Sequence, residues 1–143
     1  MSDRKLEQFL KLILDQEKSA ALTLQRAQLD YLKAESDLER AFEYQNEYLL
    51  LSEGRNQSQL APIKLKSSRL FLTQVAALIS HQKKLLESKR ARQDHCREVF
   101  LAARARKQTI ESLIKKREST RVLKQNKQEQ QRLDDLFLVG WSG

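Results

Sequence analysis

Thirteen positions of the chain, Leu6, Leu10, Ile13, Glu17, Ala20, Leu24, Ala27, Tyr31, Ala34, Leu38, Ala41, Gln45 and Tyr48, follow one another in alternating steps of four and three residues. On a helix that spacing gathers the side chains into one narrow stripe, the seam of a coiled coil, with Glu17 and Gln45 as its polar interruptions. One of its two rows reads Leu6, Ile13, Ala20, Ala27, Ala34, Ala41, Tyr48. Its four consecutive alanines admit a second helix at close range, an arrangement suited to an antiparallel pair, whereas a parallel zipper favours larger branched residues.

Helix breakers are scarce. The 143 residues hold three glycines and one proline, so two long stretches contain neither. The polar segment from Ser52 to Pro62 interrupts the repeat, with Gly54 suited to ending one helix and Pro62 to starting the next. Beyond it Phe71, Val75, Leu78, Gln82, Leu85, Lys89, Arg92, Cys96, Val99, Ala103, Arg106, Ile110 and Leu113 resume the rhythm more raggedly. The sequence therefore predicts an all-α fold, a long antiparallel two-helix coiled-coil hairpin forming a single domain over 1–143. Helix 1 is expected over about 3–52, a bend over 53–62, helix 2 over 63–137 and a short tail over 138–143.

Charge supports the self-pairing. Residues 1–53 carry 7 basic and 11 acidic side chains, whereas residues 54–143 carry 20 basic and 8 acidic ones. The halves attract each other, which weakens the case that the net charge of +8 is an advertisement for nucleic acid or an anionic membrane. With the bend near residue 58, Leu6 should face roughly residue 110, and everything past about 115 overhangs. That overhang, from Lys115 to Arg132, is helix-prone, basic and nearly without an apolar face. At 1.5 Å per residue a second helix of some 70 residues would be about 100 Å long.

Catalytic chemistry finds little footing. Apolar residues make up 40% of the chain, charged ones 32% and aromatic ones 6%, thin material for a globular core that could wall an active site. His81 and His95 lie far apart on one helix, and the adjacent His95 and Cys96 point in different directions, so neither a metal site nor a thiol–imidazole pair is built. Gly54 stands alone, without a phosphate-cradling loop, and no Ser, His and acid are set for nucleophilic attack. The sequence thus predicts no enzyme and no cofactor. The lone Cys96 fits a reducing compartment, no apolar run is long enough to span a bilayer, and residues 1–5 lack the apolar core of a secretory signal. The expectation is a cytoplasmic protein without direct membrane insertion. A basic face around Lys83, Lys84, Lys89, Arg90, Arg92, Arg97, Arg104, Arg106 and Lys107 has the charge to grip phosphates. Its balance by the acidic first helix, and the absence of interleaved aromatics apart from Phe100, favour a solvated face and no nucleic-acid partner.

Two clusters stand out as contact sites. Antiparallel pairing brings Tyr44 and Tyr48 of the first helix to the same end as Phe71, Val75 and Leu78 of the second. These residues either close the coiled coil or form an anchor for a partner, with Tyr44, off the seam, the better placed for contact. The segment Leu136-Phe137-Leu138-Val139-Gly140-Trp141 is a second apolar patch, either a docking element or a frayed end.

These residues resemble the FliJ family of flagellar export proteins. The likeness rests on Tyr44-Gln45-Asn46-Glu47-Tyr48 before the bend and on Phe71-Leu72-Thr73-Gln74-Val75, Ile79 and Gln82 after it. It continues through Ala103-Arg104-Ala105-Arg106-Lys107, Glu111-Ser112-Leu113, Lys116-Arg117 and Glu129-Gln130-Gln131-Arg132-Leu133-Asp134-Asp135. Phe100 stands where many members carry Trp, Ala41 is small where a larger apolar residue is usual, and Val75 is shorter than the Leu often found there.

The resemblance implies a hairpin similar to the antiparallel coiled coil of the F-type ATP synthase gamma subunit, set in the pore of the hexameric export ATPase FliI beside its regulator FliH. It also implies contact with the export gate protein FlhA and escort of export chaperones, at the cytoplasmic face of the inner membrane at the flagellar base. Carried onto this chain, the gate-facing patch falls on Tyr44, Tyr48, Phe71, Val75 and Leu78. The ATPase-ring contact falls on Arg117, Arg121, Lys124, Lys127 and Arg132. Two alternatives stay open, the equivalent stalk of a virulence type III secretion system and a basic coiled-coil protein that binds nucleic acid or membrane surfaces.

Overall fold

A computed structural model describes the backbone of residues 2–54 and 62–142 and the side chains of residues 2–50 and 66–140. The chain forms two helices, α1 (Asp3–Gly54) and α2 (Pro62–Ser142). Ser2 caps the start of α1, its Oγ accepting the Lys5 amide at 3.3 Å while its carbonyl accepts the Leu6 amide at 3.1 Å. Asp3, in the first turn, places a negative charge where the unpaired amides of the helix end point. Pro62 opens α2, where its missing amide and fixed φ carry no penalty. The expected bend is largely 55–61, which lies outside the described residues, although Glu53 and Gly54 still belong to α1. The tail expected over 138–143 is helical as far as Ser142.

The chain divides into two compact units, one of Ala20–Phe100 and one of Met1–Ser19 with Leu101–Gly143. Within each unit a stretch of α1 runs antiparallel to a stretch of α2. In the first, Ala41 packs with Val75 and Ile79, and Leu38 lies against them. Farther along, Asp30 meets Arg92 at 3.3 Å and Lys89 at 3.9 Å. In the second unit, Glu17 meets Lys107 at 2.8 Å and Asp3 meets Arg117 at 3.6 Å. The acidic first helix and the basic second one are thus joined by specific pairs, as the charge division anticipated.

The seam of α1 is the one its spacing predicts. Leu6, Ile13, Ala27, Ala34 and Ala41 are buried, and the remaining eight predicted positions are half-buried. In α2 only one of the two predicted rows holds. Val75, Gln82, Lys89, Cys96, Ala103 and Ile110 face inward, but their companions are Leu72, Ile79, Leu86, Gln93, Phe100, Lys107 and Ile114. Each lies one residue beyond the expected Phe71, Leu78, Leu85, Arg92, Val99, Arg106 and Leu113, and of those expected residues only Leu85 is even half-buried. A shift of one residue turns a helix by about 100°, so this row moves from flank to seam. Threonines on the outer surface of α2 turn their hydroxyls inward along the helix, Thr73, Thr109 and Thr120 each donating to the carbonyl four residues back at 2.8 to 3.0 Å.

Candidate partner-binding site

In the Ala20–Phe100 unit, the five residues expected to form one patch separate into two seam residues, Tyr48 and Val75, and three exposed ones. Val75 is 6% exposed and packs with Ala41 and Ile79, so it supports the seam and offers a partner almost nothing. Tyr48 is half-buried; its ring lies 4.3 Å from that of Phe71 at an interplanar angle of 42°, and its hydroxyl donates to Ser68 Oγ at 2.9 Å. That contact ties α1 to α2 beside the last described turns before the bend. Tyr44 at 60%, Phe71 at 40% and Leu78 at 44% remain exposed. These three share the same flank. Tyr44 precedes Tyr48 by one helical turn, while Phe71 and Leu78 are seven residues apart and border the seam row of Leu72 and Ile79. Aromatic and aliphatic side chains exposed beside a firmly closed seam form a surface for apolar contact.

The opposite flank carries Phe42, not singled out from sequence, beside residues of the basic face. Phe42 is partly exposed, with Lys83 Nζ 5.6 Å above its ring centre. Arg90 stacks over Tyr31 at 5.8 Å and donates to its hydroxyl at 3.1 Å. That hydrogen bond is the largest of the influences holding the Arg90 guanidinium above its ordinary pKa. Such cation–aromatic pairs follow from setting basic α2 against a helix whose seam and borders carry rings. The seven-residue spacing of Phe42 and Leu49 was the signal for this second apolar border.

In the other unit, the charged residues expected to overhang also divide. Arg117 is half-buried beside Asp3, so it belongs to the paired stretch. Arg121 shares an open groove with Asp3, Leu6, Glu7, Ile114, Arg117 and Glu118. Pairing therefore reaches Arg117, two residues past the expected limit near 115. Beyond it every described side chain from Glu118 to Gly140 is exposed, including Lys124, Lys127 and Arg132 and the apolar Leu133, Leu136, Phe137, Leu138 and Val139. No apolar seam continues here: the positions that would extend it are Arg121, Lys124, Gln128, Gln131, Asp135 and Leu138. Helix-favouring residues form a basic stretch that ends in apolar turns.

Cys96 is buried in the seam, whereas His81 and His95 are exposed. No helix among the described residues is long and apolar enough to cross a membrane. A search of curated proteins and a search of solved structures return no match to this sequence. The family model described as the flagellar FliJ protein matches residues 1–142. That match spans both helices and the connection between them, and the chain belongs to the FliJ family of flagellar proteins.

Proposed function

We propose that the chain is the non-catalytic stalk of the flagellar type III protein export apparatus, seated in the pore of the FliI hexamer beside FliH and coupling that ATPase to the export gate. The observation that carries this reading is the unequal reach of the helices. Most of α2 is paired with α1, yet its last turns, basic and then apolar, stand uncovered. A helix without an apolar face of its own gains stability from a partner that surrounds it, and a ring pore provides one. Arg121, Lys124, Lys127 and Arg132 are the proposed ring contacts, with Arg117 fixing the point at which the helix leaves its pairing. Tyr44, Phe71 and Leu78 are the proposed contacts to the gate protein FlhA, supported from beneath by Tyr48 and Val75. Export chaperones are further proposed partners, and the site of action is the cytoplasmic face of the inner membrane at the flagellar base.

The test is reconstitution with purified FliI. The chain should co-purify with the ATPase, raise its rate of hydrolysis and increase the fraction of hexameric rings seen by electron microscopy. Hydrolysis and ring fraction both unchanged at saturating chain would refute the reading.

A further inference from the structure

Within the Ala20–Phe100 unit, α2 carries two adjacent apolar rows, and its pairing with α1 uses one of them. Leu72, Ile79, Leu86, Gln93 and Phe100 share the seam with Val75, Gln82, Lys89 and Cys96 and are buried or half-buried. Phe71, Leu78, Leu85, Arg92 and Val99, each one residue earlier, form the second row, of which Phe71, Leu78 and Val99 stay 40 to 44% exposed. Each row holds four apolar side chains and one polar one, and each alternates in threes and fours with the Val75 row. Turning α2 by about 50°, half the 100° between neighbouring residues, exchanges the rows while the Val75 row remains inside. The facing row of α1 is Ala20, Ala27, Ala34 and Ala41. Methyl groups interlock with neither set, whereas larger side chains would lock one. The contacts of Arg90 with Tyr31 and of Arg92 with Asp30 are made by long exposed side chains, which can follow a turned helix. The polar member of each row sets the preference. A guanidinium costs more to desolvate than an amide, so Gln93 enters the seam and Arg92 stays on the flank, 3.3 Å from Asp30.

We propose that α2 turns between these two registers, and that the turn switches the Tyr44, Phe71 and Leu78 flank. In the observed register Phe71 and Leu78 are open to a partner. In the turned one they enter the seam, and Ile79 and Phe100 come out. Packed helix pairs adopt discrete arrangements of this kind, not a continuum. The turned register is the minor one, on the order of 1% of molecules. A partner held by Phe71 and Leu78 binds the observed register alone and draws the population toward it. That this regulates the gate contact rests on the function proposed above; the exchange of rows does not.

Phe71 and Phe100 stand on opposite rows and report the exchange in the full chain labelled with para-fluorophenylalanine. Their fluorine resonances are assigned with Phe71→Leu and Phe100→Leu. The solvent isotope shift of each resonance reads its exposure, and relaxation dispersion reads exchange on the microsecond-to-millisecond scale. Both resonances should show dispersion with one common rate. Arg92→Leu with Gln93→Arg moves the polar side chain that resists burial to the other row. It should reverse the two exposures, raising the turned population at least about tenfold. Gln93→Leu should instead abolish the dispersion, and both variants should keep their helicity by circular dichroism. The proposal is overturned by absence of dispersion in the unsubstituted chain, by unrelated rates at the two residues, by exposures that do not reverse, or by dispersion that survives Gln93→Leu. Binding of the purified cytoplasmic domain of FlhA is a separate readout and should weaken in the reversed variant. Unchanged binding there, with the exposures reversed, would overturn the regulation of the gate contact and leave the exchange of registers standing.

Discussion

Lys107 holds Glu17 with its ammonium 2.8 Å from Oε2 and 3.0 Å from Oε1, and both residues occupy seam positions where apolar side chains would otherwise interlock. Each side chain is about four-fifths covered, so the pair is neither a surface bridge nor a fully buried one. Pairs of this kind contribute little net stability compared with an apolar pair, but losing one partner strands the other. Lys107→Met should therefore lower stability by about 1–3 kcal/mol, read from thermal unfolding by circular dichroism. Glu17→Leu combined with Lys107→Leu should be at least as stable as the unsubstituted chain. An unaltered melting temperature in Lys107→Met would show that the pair is not a seam element.

The register of α2 has an equally direct check. Ile79 is buried against Ala41 and Val75, whereas its neighbour Leu78 is substantially exposed. Ile79→Ala should cost about 2–4 kcal/mol, while Leu78→Ala should stay within about 0.5 kcal/mol of the parent. The reverse order of melting temperatures would restore the register expected from sequence.

That register shows where the sequence was legible and where it was not. The α1 stripe could be read completely because its inner row is alanine-rich and apolar from Leu6 to Tyr48, whereas each neighbouring row is broken by charged or polar residues such as Gln16, Thr23, Gln28, Asp30, Glu35 and Asp37. In α2 two adjacent rows compete. Phe71, Leu78, Leu85, Arg92, Val99, Arg106 and Leu113 contain five apolar residues and two arginines; Leu72, Ile79, Leu86, Gln93, Phe100, Lys107 and Ile114 contain five apolar residues and two polar ones. Each row even offers a cation, Arg106 or Lys107, to meet Glu17. Only the contact with α1 decides, and it seats Lys107 in the seam and leaves Arg106 exposed. The same shift explains the candidate site. Phe71 and Leu78 lie exposed on the flank, while Val75, in the row that matches the seam, is consumed by the core. The limit of the overhang, expected near 115, falls at Arg117, the last half-buried side chain among the described residues, which lies beside Asp3.

Gate contact and stability should separate along that division. Tyr44→Ala with Leu78→Ala should weaken binding to the purified cytoplasmic domain of FlhA by more than about 1 kcal/mol with the melting temperature preserved. Val75→Ala should instead lower the melting temperature, by about 1–2 kcal/mol of stability, and affect FlhA binding only through folding. Phe71→Ala should do both, because it removes exposed apolar surface and the ring contact with Tyr48, itself worth about 0.5–1.5 kcal/mol. Preserved FlhA binding in the Tyr44 and Leu78 double variant would remove this flank from the gate contact.

Among the described residues, removing residues 122–143 deletes no buried or half-buried side chain. The shortened chain should unfold within a few degrees of the full one, since surface changes distant from packed residues are close to neutral. A large fall in melting temperature would mean that the terminal turns support the paired helices.

The central claim is that the uncovered end of α2 engages the export ATPase while the Tyr44, Phe71 and Leu78 flank serves a different partner. Its most direct measurement is steady-state ATP hydrolysis by purified FliI with the full chain, the chain lacking residues 122–143, and the Tyr44→Ala, Leu78→Ala double variant. The account predicts stimulation by the full chain, none by the shortened one and full stimulation by the double variant. Equal stimulation by the shortened and full chains would contradict it.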